Sequence, residues 1–416
     1  MHAIEKILAK ASGKARVATG EIVTAKVDFA EINDLYLQTV YSFREMGGDR
    51  VWDKDRLCFV FDHYAPAPTI RSAENHREMR EFARGQGLTY HFDINAGVCH
   101  QVMAEAGVIL PGEVIIATDS HTTTHGAFGA FGTGVGATDM ATIMITGELW
   151  LRVPEVISVR LEGQPPRGVL PKDVILYVLG QIKADGAVYK AIDFNGPYVD
   201  GLDVAGRMVL CNMAVEMGAK TAYTRPNDKV LSFVTPIAKR PFEVMETDPG
   251  FVFAQSHVFD ISGLAPQVAV PHSVDNVRPI SEAGDVVVDQ GFIGACTGGR
   301  AEDFAEASRV LKGKKLPPYA RLVIIPASGA VLREIMDNGD LRVLLDAGAT
   351  LSSPGCGPCL GAHQGVVGAG ETCVTASNRN FPGRMGSTGA NVYLASPATV
   401  AASVLAGRLA DPRGYY

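Results

Sequence analysis

The 416-residue chain lacks an excess of positive charge and has no long apolar run. Lysine and arginine number 38 against 45 aspartates and glutamates, which gives a formal net charge of −7 at pH 7. Nucleic-acid binding relies on clustered basic side chains, so this balance argues against it. No stretch approaches about 18 consecutive apolar residues, as a membrane span requires. The first residues also lack the basic and apolar segments of a signal peptide. We therefore expect a cytoplasmic protein that binds neither nucleic acid nor membranes.

The cysteines do not form the pattern of a disulfide framework. Their number is odd and their spacing is irregular, which favours a reducing compartment and the use of some thiols for a metal or cluster. The seven cysteines are Cys58, Cys99, Cys211, Cys296, Cys356, Cys359 and Cys373.

Short β-branched runs alternate with helical stretches, a pattern typical of α/β layers. Residues 114–117 and 322–325 predict buried strands, and residues 286–288 a weaker third. Helices are predicted over residues 139–150 and between the caps of residues 396–407. We expect three α/β domains, over residues 1–153, 154–270 and 271–416.

Three cysteines of the third region lie in two glycine-rich turns. Cys356 and Cys359 are separated by two residues, at positions i and i+3 of a turn that can bring both thiols to one side. Taken alone, this pair is equally typical of a redox or chance pair. Cys296 lies in a second glycine-rich loop, residues 294–300. Structural zinc sites and ordinary electron-transfer clusters take four protein ligands. Three thiolates instead favour a [4Fe–4S] cluster with one iron open to substrate.

Two other side chains offer a fourth ligand. His363 lies close to the cysteine pair and would complete a zinc site. Cys373 would supply a fourth thiolate, although we interpret it as a core residue, like Cys58 and Cys211, because free cysteine is commonly buried.

Polar residues follow the predicted strand at residues 114–117. Asp119, Ser120 and His121 offer an orienting carboxylate, a hydroxyl and a titratable imidazole. In α/β folds, sites lie at such strand ends. The alternative is a turn capped by Asp119 and Ser120.

Further polar residues lie near other predicted strand ends or on loops. Asp62 and His63 follow an apolar run, and His100 is a third candidate for acid–base chemistry. Each histidine alone is more often structural. Arg379 and Arg384 share one loop, and their planar guanidinium groups match carboxylates, although paired loop arginines are usually solvated.

These motifs together resemble the aconitase superfamily, specifically the large subunits of 3-isopropylmalate dehydratases and homoaconitases. The resemblance covers nearly the whole chain. It rests on six ordered stretches: Asp62-His63, residues 118–122, Cys211-Asn212-Met213, the Cys296 loop, residues 355–359 and residues 378–384.

The resemblance implies a hydro-lyase that isomerises a 2-hydroxy di- or tricarboxylic acid by dehydration and rehydration. It implies three α/β/α domains around a [4Fe–4S] cluster with one open iron. The swivelling fourth domain would be a separate small subunit, which carries the serine that abstracts the substrate proton. The first expectation is 3-isopropylmalate dehydratase, an enzyme of leucine biosynthesis, and the alternatives are a homoaconitase or a 2,3-dimethylmalate-type dehydratase.

The resemblance also implies roles for individual residues. Cys296, Cys356 and Cys359 would ligate the cluster. His63, oriented by Asp62, would protonate the leaving hydroxyl group. The remaining expected residues are His100, Asp119, His121 and Asp193 as acid–base support, and Ser120, Asn378, Arg379 and Arg384 as substrate contacts.

Two positions depart from the family pattern. Gly298 replaces an asparagine near the first cluster cysteine, and Asp193 replaces a glutamate, which points to a branch beyond the standard leucine-pathway enzyme. Two other hypotheses remain from different classes. One is a non-catalytic iron sensor or RNA-binding relative, and the other is a structural zinc protein that uses the three cysteines with His363.

Overall fold

The computed structural model describes residues 1–416, and its first part is built on a five-stranded parallel sheet. The elements of this part are α1 (Ala3–Ala11), β1 (Ile22–Lys26), β2 (Phe29–Asn33), α2 (Leu37–Glu45), β3 (Leu57–Val60), α3 (Ile70–Gln86), β4 (Tyr90–Phe92), α4 (Cys99–Glu105), β5 (Val114–Ala117), a 3₁₀ segment (Ser120–Phe128), β6 (Phe131–Gly134), α5 (Ala137–Thr146) and β7 (Glu148–Arg152). The strand order is β4-β3-β2-β5-β6, and β1 pairs with β7 in a separate antiparallel ribbon.

A four-stranded parallel sheet forms the second part, in the order β10-β9-β8-β11. Its elements are β8 (Val156–Glu162), α6 (Pro171–Ile182), β9 (Ala191–Asn195), α7 (Pro197–Gly201), α8 (Val204–Met213), a 3₁₀ turn (Ala214–Met217), β10 (Thr221–Tyr223), α9 (Asp228–Val234) and β11 (Gln255–Asp260).

The third part contains a seven-stranded mixed sheet in the order β13-β12-β18-β17-β14-β15-β16. Its elements are β12 (Gln267–Ala269), β13 (Val277–Pro279), a 3₁₀ turn (Ile280–Glu282), β14 (Gln290–Ile293), α10 (Ala295–Gly298), α11 (Ala301–Leu311), β15 (Arg321–Ile324), α12 (Gly329–Asp337), α13 (Asp340–Ala347), β16 (Thr350–Leu351), a 3₁₀ turn (Gly357–Leu360), β17 (Thr372–Thr375), β18 (Asn391–Leu394), α14 (Pro397–Ala406) and a 3₁₀ turn (Pro412–Tyr415). Strand β12 joins this sheet although residues 267–269 fall in the range predicted for the second domain.

The α/β organisation expected from the sequence is confirmed, but two local predictions were wrong. The helix predicted over residues 139–150 ends at Thr146, because Gly147 adopts a left-handed conformation (φ 71°) and residues 148–152 form β7. Residues 286–288 do not form a strand, and Val287 makes only an isolated bridge to Arg408. None of the helices combines the length and the apolar character needed to cross a membrane.

Several loops lie at the carboxyl ends of the parallel strands. The interior strand β5 is buried completely, because helices cover both faces of a parallel sheet. Asp62 follows β3, Asp119 follows β5, Cys296 follows β14 and Asn378 follows β17. The carboxyl ends of parallel strands are where open α/β sheets bind ligands, so the fold brings these loops to a common site.

Candidate active site

The three predicted cluster cysteines are free, buried thiols that meet through shared neighbours. Asn378 links two of them: its Nδ2 lies 3.2 Å from the Cys296 Sγ, and its Oδ1 lies 3.6 Å from the Cys359 Sγ. Cys296 also packs with Cys356 in a small cluster that includes Val98. Arg384 donates from Nη2 to the Cys359 Sγ at 3.5 Å. The thiols of two different loops therefore line one small region of the protein.

The chemistry of this donor set fits a thiolate-ligated metal cluster. Burial raises the pKa of Cys296 to about 12 and the pKa of Cys356 well above its usual range. A buried thiol of this kind ionises readily only when a bound cation compensates the thiolate. The backbone turns sharply at both loops, with φ 61° at Ala295 and φ 56° at Gly357. A non-glycine residue with positive φ costs of order 1–3 kcal/mol and is typical of functional sites.

His63 lies beside these thiols and is held by two carboxylates. The Asp62 Oδ1 is 2.7 Å from its Nδ1, and the buried Asp34 accepts a hydrogen bond from its backbone N–H. Ligand atoms of Asp62, His63 and Cys356 all lie within 4.8 Å of one another. Burial opposes protonation of the imidazole, but the Cys356 thiolate and the two carboxylates outweigh it and raise the pKa of His63 well above its usual value.

Asp119 is a common partner of three histidines. Its Oδ1 lies 3.1 Å from the His100 Nε2 and accepts the His121 backbone N–H at 2.7 Å. Its Oδ2 lies 3.7 Å from the His63 Nε2. Burial disfavours the carboxylate, but the hydrogen bonds with His100 and His121 hold the pKa of Asp119 well below its usual range. Asp119 is therefore ionised and orients the histidines around it.

Glu216 belongs to the site, although it lies outside the set of residues predicted from the sequence. Its Oε1 is 2.7 Å from both the His121 Nε2 and the Arg379 Nε. Burial raises the pKa of Glu216, but the interactions with His121 and Arg379 outweigh it and give a net lowering. The sequence held one signal for this residue, because it follows the Cys211-Asn212-Met213 motif by three residues. In the structure, Asn212 of that motif accepts a hydrogen bond from Asn378 at 3.4 Å.

Asp193 is not part of this constellation, which corrects the role expected for it. It lies on β9, opposite Tyr223 of β10 in the parallel register. This face of the sheet is turned towards the start of α1, so the Asp193 Oδ2 bonds to the His2 Nε2 at 2.8 Å. The site carboxylate opposite His121 is Glu216 instead.

The remaining predicted residues lie at the rim or outside the site. Ser120 is exposed, and Arg379 is partly exposed. Arg384 has a buried Nε without a hydrogen-bond partner, which leaves a donor available beside Cys359. His363 bonds through Nε2 to the Pro66 carbonyl oxygen at 2.9 Å.

The other cysteines are core residues, as predicted. Cys373 is fully buried in the apolar cluster of β14, β17 and β18. Cys58 and Cys211 are fully buried in the largest core.

Comparisons with known proteins agree on one family. The model of the aconitase family (aconitate hydratase) matches residues 38–407. The chain is 50% identical over 412 residues to "3-isopropylmalate dehydratase large subunit 1" of Methanopyrus kandleri, covering 99% of this chain and 98% of that protein. It is also 50% identical over 390 residues to a "probable methanogen homoaconitase large subunit" of Methanosarcina mazei, covering 94% and 99%. The crystal structure of Thermococcus kodakaraensis aconitase X has a similar fold, with a TM-score of 0.50, 13% identity and coverage of 91% and 90%.

Proposed function

The chain belongs to the aconitase family, and on this basis we propose that it is the large subunit of a hydro-lyase that isomerises 3-isopropylmalate. Membership of this family implies an iron–sulfur cluster, and the large-subunit relatives imply a small-subunit partner. The observation that carries the proposal is the meeting of three buried free thiols with the His63, His100 and His121 network.

Cys296, Cys356 and Cys359 would hold a [4Fe–4S] cluster. When bound, this cluster would supply an open iron that acts as a Lewis acid towards the substrate hydroxyl group. The rest of the chemistry falls to side chains of this chain and of its partner.

His63 is placed to act as the acid. Asp62 fixes the imidazole through Nδ1, which leaves Nε2 to hold the proton that the departing hydroxyl group takes up. In the reverse direction, the neutral imidazole takes the proton back from the incoming water.

Arg379 and Arg384 would bind the substrate carboxylates. Glu216 fixes the Arg379 guanidinium through its Nε, which leaves the outer nitrogens for a bidentate contact. Arg384 lies beside the thiols, with its Nη2 3.5 Å from the Cys359 Sγ. The proton on carbon would be removed by the small subunit, as the family resemblance implies, so this chain alone should bind the cluster but not turn over substrate.

Relatives named 3-isopropylmalate dehydratase and homoaconitase are both 50% identical to this chain, so the substrate is the point to test. The test is a panel of 3-isopropylmalate, homoaconitate and 2,3-dimethylmalate with the anaerobically reconstituted pair of subunits. We expect turnover only when both subunits are present, and fastest with 3-isopropylmalate. A chain that binds stoichiometric zinc and takes up no iron and sulfide would contradict the proposal.

Asp193 gives a sharp prediction because it lies outside the site. Asp193→Ala should leave kcat unchanged while lowering the free energy of unfolding by about 1–3 kcal/mol, since the buried His2 loses a charge-assisted partner. Glu216→Gln should instead lower kcat about 10- to 100-fold, because His121 and Arg379 both lose a charged partner at 2.7 Å and a hydrogen bond to a charged group contributes about 1.5–3 kcal/mol. Steady-state rates of the subunit pair and thermal unfolding of each variant separate the two effects. Equal losses of kcat in both variants would show that Asp193 acts in catalysis after all.

A further inference from the structure

Lys172 is a fully enclosed lysine that the proposed mechanism does not use. It is the second residue of α6 and is only 1% exposed. Its ammonium donates to the Thr297 Oγ1 at 3.1 Å, the Ala376 carbonyl at 3.0 Å and the Ser377 carbonyl at 2.6 Å. An ammonium group has three N–H donors, so this set of acceptors satisfies all of them.

The acceptors lie on the loop that carries Cys296 and on the 376–379 loop, which carries Asn378. Thr297 directly follows Cys296, and Ser377 directly precedes Asn378. The Thr297 hydroxyl also donates to the Ala376 carbonyl at 2.7 Å, which ties the two loops directly to each other. Lys172, from the second sheet region, therefore joins two loops of the third.

The position of the second loop controls contacts to the thiols. Asn378 reaches the Cys296 Sγ at 3.2 Å and the Cys359 Sγ at 3.6 Å. The next residue, Arg379, pairs with Glu216. A shift of the Ser377 backbone would move these contacts together, because Asn378 and Arg379 follow it directly.

Gly298 explains how the loops approach so closely. A Cβ atom added at this position would lie 2.3 Å from the Ala376 Cβ, which is far inside van der Waals contact. The asparagine that the family usually has here would therefore displace the Ala376 segment. In this chain Ala376 fills that space, and its carbonyl oxygen faces Lys172 and Thr297.

We propose that Lys172 is a positioning residue that holds the Cys296 loop and the 376–379 loop in the arrangement that retains the cluster. This inference rests on the proposed function, since it assigns the purpose of the tie to cluster retention. Burying an ammonium group is costly unless it is fully hydrogen-bonded, and burial lowers the pKa of Lys172 to about 8. The fold nonetheless keeps the Lys172 ammonium group buried between the Cys296 loop and the 376–379 loop.

The test compares Lys172→Met with the wild-type chain after anaerobic reconstitution with iron and sulfide. Methionine keeps the length and apolar stem of lysine but removes the three donors. We expect a chelator to remove iron from Lys172→Met about tenfold faster, the lower end of the usual effect of a residue that supports metal ligands. The three-iron form produced by mild oxidation should also give a broadened electron paramagnetic resonance spectrum. Chelator-induced loss at the wild-type rate would overturn the proposal.

Two further variants test whether the loss of iron is specific to the Lys172 donors. Lys220→Met removes a partly buried lysine of the same region, which lies over the Tyr189 ring at 5.7 Å, and should lose iron at the wild-type rate. Lys172→Gln retains two donors and should lose iron more slowly than Lys172→Met but faster than wild type. If Lys172→Met does not fold, Lys172→Gln decides, and a wild-type rate for it rejects the proposal. Failure of the wild-type chain to take up iron and sulfide would instead reject the proposed function.

Discussion

Replacing His63 by glutamine should lower kcat about 10²- to 10⁴-fold, the usual contribution of a positioned general acid, while iron content stays at the wild-type level. Asp62 orients the imidazole towards the thiols, with 2.7 Å between the Asp62 Oδ1 and the His63 Nδ1. Glutamine can accept or donate a hydrogen bond but cannot transfer a proton at neutral pH. The measurement is the steady-state rate of the reconstituted subunit pair, together with iron and sulfide per chain.

His257→Gln provides the matched control. His257 lies on β11, the edge strand of the four-stranded sheet, and stacks on Phe259 rather than on any site residue. The same substitution there should change neither kcat nor iron content. A His63→Gln enzyme with the wild-type kcat would remove His63 from the reaction. Loss of iron in that variant would assign His63 to cluster retention instead.

The parts of the fold that follow from short-range rules could be predicted from the sequence. The strand at Val114–Ala117 forms as expected, and α14 begins after Ser396 and ends at Gly407. Apolar runs, N-caps and left-handed glycines determine the structure of only the few residues around them, so they can be read from the sequence. The error over residues 139–150 has a physical reason too: Gly147 ends the helix, and the alternating burial of β7 competes with the helical pattern there.

Site residues could be predicted where the residues that act together are close in the sequence. A cysteine pair in a glycine-rich turn and an adjacent Asp and His can be recognised in the sequence. Glu216 does not, because its partners His121 and Arg379 lie 95 and 163 residues away along the chain. Asp193 was expected at the site because it replaces a family glutamate, but its position on β9 places its carboxylate against His2. A carboxylate acquires a role only when the tertiary fold selects its partner, and spacing along the chain does not contain that information.

The largest effect is expected from the cysteines, since the cluster depends on all of them. Cys356→Ser should abolish activity and reduce the iron and sulfide taken up on anaerobic reconstitution to a small fraction of the wild-type content. A thiolate is the ligand that iron–sulfur clusters use, and an alcohol does not ionise at neutral pH. The residue directly precedes the 3₁₀ turn Gly357–Leu360, and its backbone N–H donates to the Asp62 carbonyl oxygen at 2.8 Å. The variant therefore keeps the loop in place while removing the ligand. The visible absorbance of the reconstituted chain and its iron content measure the loss.

Cys373→Ser is the matched comparison, because this thiol is also buried but faces the Val374 carbonyl oxygen and not Asn378, Arg384 or His63. It should retain the cluster and the rate, with a loss of stability of about 1–3 kcal/mol from placing a hydroxyl group in an apolar region. If Cys373→Ser loses the cluster and Cys356→Ser keeps it, the ligand set is different from the one proposed. If both variants keep it, Cys356 is not a required ligand, and the proposed set of three cysteines is wrong.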